Sequence, residues 1–299
     1  MPSIKDLKKR IGTVKNTQQT TRAMKMVSAA KLRRSQEAIQ SQRPYAQALS
    51  VLIRELAEVS HELGSLDQYP FFRTKLTGEV KKILLVVITS DRGLCGGFNG
   101  NIIKTCQRWL SASHGDPAVS AELVFVGRKG YEYFKNKNVK IGGYLSELGG
   151  KVTFLKAKSL ANYVLDRFLG GEVDEVKLIY NEFKNAASQR PFVEDFLPLR
   201  NPSGGADAIY SGGAGFVVKP SVPEVLQELL EKNFAVQSFR VLLESQAGEH
   251  GARMAAMENA TKNAGEMIKK LTLQYNKQRQ AGITKELLEI ISGSESQKG

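Results

Sequence analysis

The stretch IKDLKKRIGTVKNTQQTTRAMKMVSAAKLRRSQ, residues 4–36, decides the fold. It opens a seven-residue frame that holds from Ile4 to about Leu63. One seam reads Ile4, Ile11, Gln18, Lys25, Leu32, Ile39, Ala46, Ile53 and Ser60. Its companion reads Leu7, Val14, Thr21, Ser28, Ser35, Gln42, Leu49, Leu56 and Leu63. A period of about 3.5 residues belongs to a helix that buries one stripe against another helix. The ends of the seam are coiled coil, but small and polar residues dominate from Gln18 to Gln42, so that part faces something besides one partner helix. Pro44 removes a backbone donor. Because the frame resumes unchanged beyond it, a kink near Gln40 is expected and not a break.

The same period returns from about Val222 to Ile291. Leu229, Val236, Leu243, His250, Met257, Ala264 and Leu271 form one row, and Leu226, Ala247, Met254, Ile268 and Tyr275 adjoin it. Small residues (Ala252, Ala255, Ala256, Ala260, Ala264) let backbones come close. At about 1.5 Å rise per residue each segment runs about 90 to 105 Å, and neither can bury its stripe alone. The two are expected to pair antiparallel, as a shaft carrying a compact head. Setting Leu63 against Val222 places Met24 near Thr261 and Ile53 near Lys232.

Between them lies an α/β alternation. Lys81–Ser90, Glu122–Gly127, Val139–Leu145, Glu175–Phe183 and Phe192–Leu199 read as strands; Asn99–Leu110, Gly130–Lys135 and Ala157–Leu169 read as helices. Continuous apolar strands joined by helices predict a mainly parallel, Rossmann-like sheet covered on both faces. Asn201–Gly215, rich in Gly, Ser and Ala, reads as a linker, and Pro220 and Pro223 mark the start of the last helix. The expected organisation is an N-terminal coiled-coil helix over 1–63, a central α/β domain with linkers over 64–215, and a C-terminal coiled-coil helix with a short polar tail over 216–299.

Composition narrows the function. The longest apolar run, Ile83 to Ile88, is far short of the about eighteen residues a membrane span needs, so no direct membrane insertion is expected. The N-terminus carries no apolar signal-peptide core, which points to the cytoplasm or a comparable compartment. Cys95 and Cys106 form no CxxC pair, and His61, His114 and His250 are isolated, so neither a metal site nor a disulfide framework is expected. The net charge is +13, and residues 1–60 hold twelve Lys and Arg against four acids. This excess suits an acidic partner: nucleic acid, anionic lipid or an acidic protein surface.

The only glycine-rich loop after a strand is TSDRGLCGGFN, residues 89–99. It stands where a nucleotide-binding fold cradles phosphate, yet it has neither GxxxxGK followed by Ser or Thr nor GxGxxG. A local ion pair of Asp91 with Arg92 and tight strand-to-helix packing are the plainer reading, and no cofactor is expected. No His base lies near Cys95 in sequence to make it a nucleophile. In the first helix Arg22, Lys25, Arg33 and Arg34 interleave with Met24, Val27, Ala30 and Leu32. No face is uniformly polar, which suits burial in a sleeve.

NTQ (16–18) with MKMV (24–27), the loop SDRGLCGGFN (90–99) and YNKQRQAGITKE (275–286) together resemble the gamma subunit of F-type ATP synthases, in the right order and over essentially the whole chain. The resemblance implies a non-catalytic central rotor. Its terminal helices would wind as an antiparallel coiled coil inside a ring of three alpha and three beta subunits. Its Rossmann-like domain would sit beside epsilon and the membrane c-ring, on the cytoplasmic face of a bacterial inner membrane. By motif, Met24 and Lys25 match the contact region with the acidic beta levers, and Arg253, Gln280, Thr284 and Glu286 match positions linked to coupling. Ile283, Leu287, Ile290 and Ile291 line one helical face beyond the end of the first helix and are expected to turn in an apolar bearing. Unlike the chloroplast form, the chain has no inserted dithiol loop. Two other readings are a basic coiled-coil nucleic-acid-binding protein, which predicts steep salt dependence of DNA affinity, and a nucleotide-dependent enzyme built on the central domain, which predicts saturable nucleotide binding.

Overall fold

A computed structural model describes residues 3–62, 69–72, 81–113, 119–185, 188–199, 219 and 221–296. The expected linker Asn201–Gly215, together with Leu63, His114 and Pro220, lies outside these residues. The long helices are α1 (Ile4–Glu62) and α5 (Val222–Ser296). The start of α1 is fixed by a capping box. The Ser3 hydroxyl accepts the Asp6 N–H at 3.2 Å, while the Asp6 carboxylate accepts the Ser3 hydroxyl at 2.7 Å and its N–H at 3.2 Å. The Ser3 hydroxyl bond, more than any other contact, holds the Asp6 carboxyl below the usual range. The helix runs unbroken through Pro44, as its unchanged frame requires.

The chain divides into two compact units, residues 1–29 with 253–299, and residues 30–252. In the first unit α1 and α5 run antiparallel, with Gln18 bonded to Thr261 and Lys25 to Glu258. In the second they again run antiparallel, with Ser35 bonded to Gln246 and Gln42 to Val236. The register differs from the one expected from the helix ends. Thr261 bonds to Thr21, about one turn before the expected Met24 on α1. Farther along the pair Gln42 meets Val236, so the facing positions again fall short of the expected register, by about two turns. Matching helix ends is a weak guide to register, because directional bonds across a small polar seam fix it locally.

The second unit holds the sheet: β1 (Lys81–Ile88), β2 (Val119–Val126), β3 (Ile141–Tyr144), β4 (Glu175–Phe183) and β5 (Gln189–Leu197), with α2 (Phe98–Ser113), α3 (Arg128–Phe134) and α4 (Phe154–Leu169) between them. The strand order is β3-β2-β1-β4-β5, with β5 alone antiparallel. The central strand is buried on both faces. Leu84, Val86 and Ile88 belong to one core with Leu160 and Val164 of α4 and Leu230 and Phe234 of α5; Ile83, Leu85 and Val87 belong to another with Phe98 and Ile102 of α2 and Phe134 of α3. Each fully buried side chain of this kind contributes about 1.5 to 3 kcal/mol. β5 starts three residues before the expected Phe192, because an edge strand tolerates Gln189, Arg190 and Pro191, where Pro191 faces Asn181. α4 also starts three residues early. The Thr153 hydroxyl accepts the Lys156 N–H at 3.4 Å and fixes that end.

One backbone position between β2 and α3 is exacting. Gly127 has φ 94°, and a Cβ there would stand 2.0 Å from the Thr89 carbonyl oxygen. Gly127→Ala combines left-handed strain with a backbone clash, so it is expected to destabilise the chain by at least about 3 kcal/mol. A urea-unfolding midpoint within error of the parent would contradict that packing. Among the described residues no helix is long and apolar enough to cross a membrane.

Candidate functional site

In the first unit the polar seam brings α1 and α5 into close register. Thr21 and Ser28 are buried, and the Thr21 and Thr261 hydroxyls lie 2.8 Å apart. The Gln18 amide donates to the Thr261 carbonyl at 3.3 Å, which it reaches because Gly265 has no side chain; a Cβ there would come within 2.9 Å of Gln18 Nε2. Such small residues fill the interface without help from Met26 and Val27, which remain 62% and 56% exposed, while Met24 is half-buried. Beside them Lys25 donates to Glu258 at 2.7 Å, an ion pair open enough to water to be worth about 1 kcal/mol or less. No motif in the sequence marks Glu258 as the partner of Lys25. The only signal for it was an acid on the last helix at a spacing that becomes legible once the register is known.

The other coupling candidates separate. Arg253 is buried and has interactions of its own within the chain, so it does not present a free cation. Gln280, Thr284 and Glu286 are exposed on the last turns of α5, where the Thr284 hydroxyl donates to the Gln280 carbonyl at 3.0 Å. Ile283, Leu287, Ile290 and Ile291 are all at least half exposed, and Leu288 joins them. A Cβ at Gly282 would touch Ile4, the first residue of α1, at 3.8 Å. The apolar stripe therefore begins where α1 supplies no further partner.

In the second unit the turn after β1 is filled by the chain itself. Asp91 accepts the Arg128 N–H at 3.1 Å and the Gly150 N–H at 3.0 Å, and the Ser90 carbonyl accepts the Lys129 N–H at 3.1 Å. The backbone donors that a phosphate would recruit at this end of a parallel sheet thus hold a carboxylate or a carbonyl. Leu94 sits at φ 63° with its side chain exposed. Cys95 is buried and accepts from the Asn99 amide at 3.3 Å, and burial pushes the Cys106 thiol up to about 12. Burial of this kind does not activate the Cys106 thiolate. Calorimetry on the full chain is expected to find no saturable micromolar binding of ATP or NAD. Such binding would overturn the reading of this turn as self-occupied.

A family profile described as ATP synthase matches residues 3–296. The ATP synthase gamma chain of Anaeromyxobacter sp. (strain Fw109-5) is 47% identical over 300 residues, covering all of both chains. That of Bdellovibrio bacteriovorus is 44% identical over 306 residues, again covering all of both. Among solved structures, a chain of the central stalk and c-ring of the Tetrahymena thermophila mitochondrial ATP synthase is 27% identical at a TM-score of 0.56. The match covers 81% of this chain and 99% of that one.

Proposed function

The chain belongs to the ATP synthase gamma-chain family, and from that membership we infer that it is the central-stalk rotor of an F-type ATP synthase, performing no bond chemistry itself. The observation that carries this reading is the antiparallel bonding of α1 to α5 in each of the two units, through helices of 59 and 75 residues. Its partners are the alpha and beta subunits of the catalytic ring, epsilon, and the membrane c-ring. Its place is peripheral, on the cytoplasmic face of a bacterial inner membrane. Proton-driven turning of the c-ring rotates the α/β domain, and the helices carry the torque to the ring.

Coupling requires that shaft orientation have a different contact energy with each conformation of beta, a difference typically of about 1 to 3 kcal/mol. Met24 and Lys25 are assigned to the direct contact with the beta levers, because they adjoin the exposed Met26 and Val27 and carry a cation that Glu258 holds only weakly. Gln280, Thr284 and Glu286 are assigned to a second contact higher on α5. Arg253 is assigned to a supporting role from within the helix pair, in keeping with its burial. The stripe Ile283, Leu287, Ile290 and Ile291 is assigned to the apolar bearing.

Affinity purification of the tagged chain from its own cells is the direct test. Alpha, beta and epsilon are expected in the eluate, with ATP hydrolysis in the same fraction. An eluate containing nucleic acid and none of those subunits would replace the stalk reading with the basic coiled-coil one.

A further inference from the structure

Two side chains of α5 tie that helix to the rest of the second unit by directional polar bonds. Arg240 donates to Glu194 of β5 at 2.5 Å, to the Tyr180 hydroxyl of β4 at 3.1 Å and to Glu244 at 3.3 Å, while its Nε donates to Gln237 at 2.8 Å. Tyr180 is itself buried and donates to the other Glu194 oxygen at 2.7 Å, closing a ring of bonds among β4, β5 and α5. Gln246 occupies a second junction. Its amide donates to the Gly150 carbonyl at 3.1 Å, and its oxygen accepts the Ser35 hydroxyl of α1 at 3.1 Å. Gly150 in turn donates to Asp91, whose other oxygen holds the first residue of α3. One continuous chain of polar contacts therefore links both long helices to the turns at one end of the parallel strands.

Six positions separate Arg240 from Gln246, which places them about 120° apart around the helix. Between them the contacts are apolar: Val241 and Leu242 belong to the same core as Val86, Leu178 and Val164. Apolar contact is non-directional, so it resists separation well and turning of a helix about its own axis poorly. Bonds on two sides resist turning in either sense, since one of them stretches whichever way the helix moves. We propose that Arg240, through Glu194 and Tyr180 of the sheet, and Gln246, through Gly150 of the loop before α4 and Ser35 of α1, are positioning residues that pass torque between the α/β domain and α5. The proposal rests on the stalk reading and adds to it the residues at which the load crosses from sheet to helix.

The test uses ATP synthase assembled with this chain in membrane vesicles, comparing ATP-driven proton pumping with ATP hydrolysis. The double variant Arg240→Met with Gln246→Leu keeps both side-chain volumes approximately and removes both anchors. It is expected to lower protons pumped per ATP hydrolysed at least about fivefold while hydrolysis stays within about twofold. Arg240→Glu alone is expected to lower the ratio, and Glu194→Arg added to it to restore at least half of the loss. A purely structural role predicts another pattern, in which the yield of assembled complex falls and the ratio within it is unchanged. That outcome, or a charge exchange that restores nothing, overturns the proposal. If the unsubstituted chain supports no pumping with those partners, the stalk reading fails and takes the proposal with it; the parent control separates that case from failure of the anchors alone.

Discussion

Met24→Lys is expected to reduce ATP-driven proton pumping to roughly a tenth of the parent's in vesicles, with ATP hydrolysis largely retained; tenfold corresponds to about 1.4 kcal/mol of coupling energy. Met24 is half-buried beside Lys25, whose ion pair with Glu258 is open to solvent. A second ammonium there cannot be neutralised by the same carboxylate, and it enters the proposed contact with an acidic lever of beta. An extra ion pair formed equally in every beta conformation would change nothing. One formed more strongly in a single conformation raises the barrier to leaving it. Assembly should survive, because buried Thr21 and Ser28 and the Thr21–Thr261 bond are untouched and a lysine stem can lie along the helix with its head in water. Pumping and hydrolysis are measured on the same vesicles. A ratio equal to the parent's would remove Met24 from the coupling surface.

Much of this architecture was legible before any coordinates, for reasons that differ from element to element. Ile83 to Ile88 could only be a strand buried on both faces, and the heptads of α1 and α5 could only be helices in want of a partner. The register was not legible, since it rests on Gln18 reaching a carbonyl over Gly265, a contact between residues far apart in sequence whose types are common on any helix. The same holds for Glu258 beside Lys25 and for the bonds among Tyr180, Glu194 and Arg240, where tertiary packing alone brings the groups together. Arg253 shows the opposite difficulty. Motif position marks it for coupling, but a long cationic side chain reads as surface in a sequence, and the structure buries it. The turn after β1 reads in the sequence as an Asp91–Arg92 ion pair with tight strand-to-helix packing. The carboxylate also accepts two backbone amides from elsewhere in the chain, and no local pattern announces them.

Removing residues from Leu287 onward is expected to weaken assembly by orders of magnitude while sparing coupling in whatever complex forms. The deletion takes away Leu287, Leu288, Ile290 and Ile291, each more than half exposed in the isolated chain. Burying one such side chain in a bearing contributes up to about 1.5 to 3 kcal/mol, so four of them, even discounted by half for partial exposure in the complex, amount to about 3 to 6 kcal/mol. That is a loss of about two to four powers of ten in the assembly constant. The bearing contact does not change with rotation, because an apolar sleeve has no directional bonds to favour one angle over another. Its loss therefore lowers the amount of complex without altering protons pumped per ATP hydrolysed. The two quantities come from one preparation: subunit ratios by quantitative gel, and the pumping-to-hydrolysis ratio normalised to assembled complex. If the truncated chain assembled normally and pumped poorly, the stripe from Ile283 to Ile291 would itself be the lever contact, and the belt around Met24 and Lys25 would become the passive one.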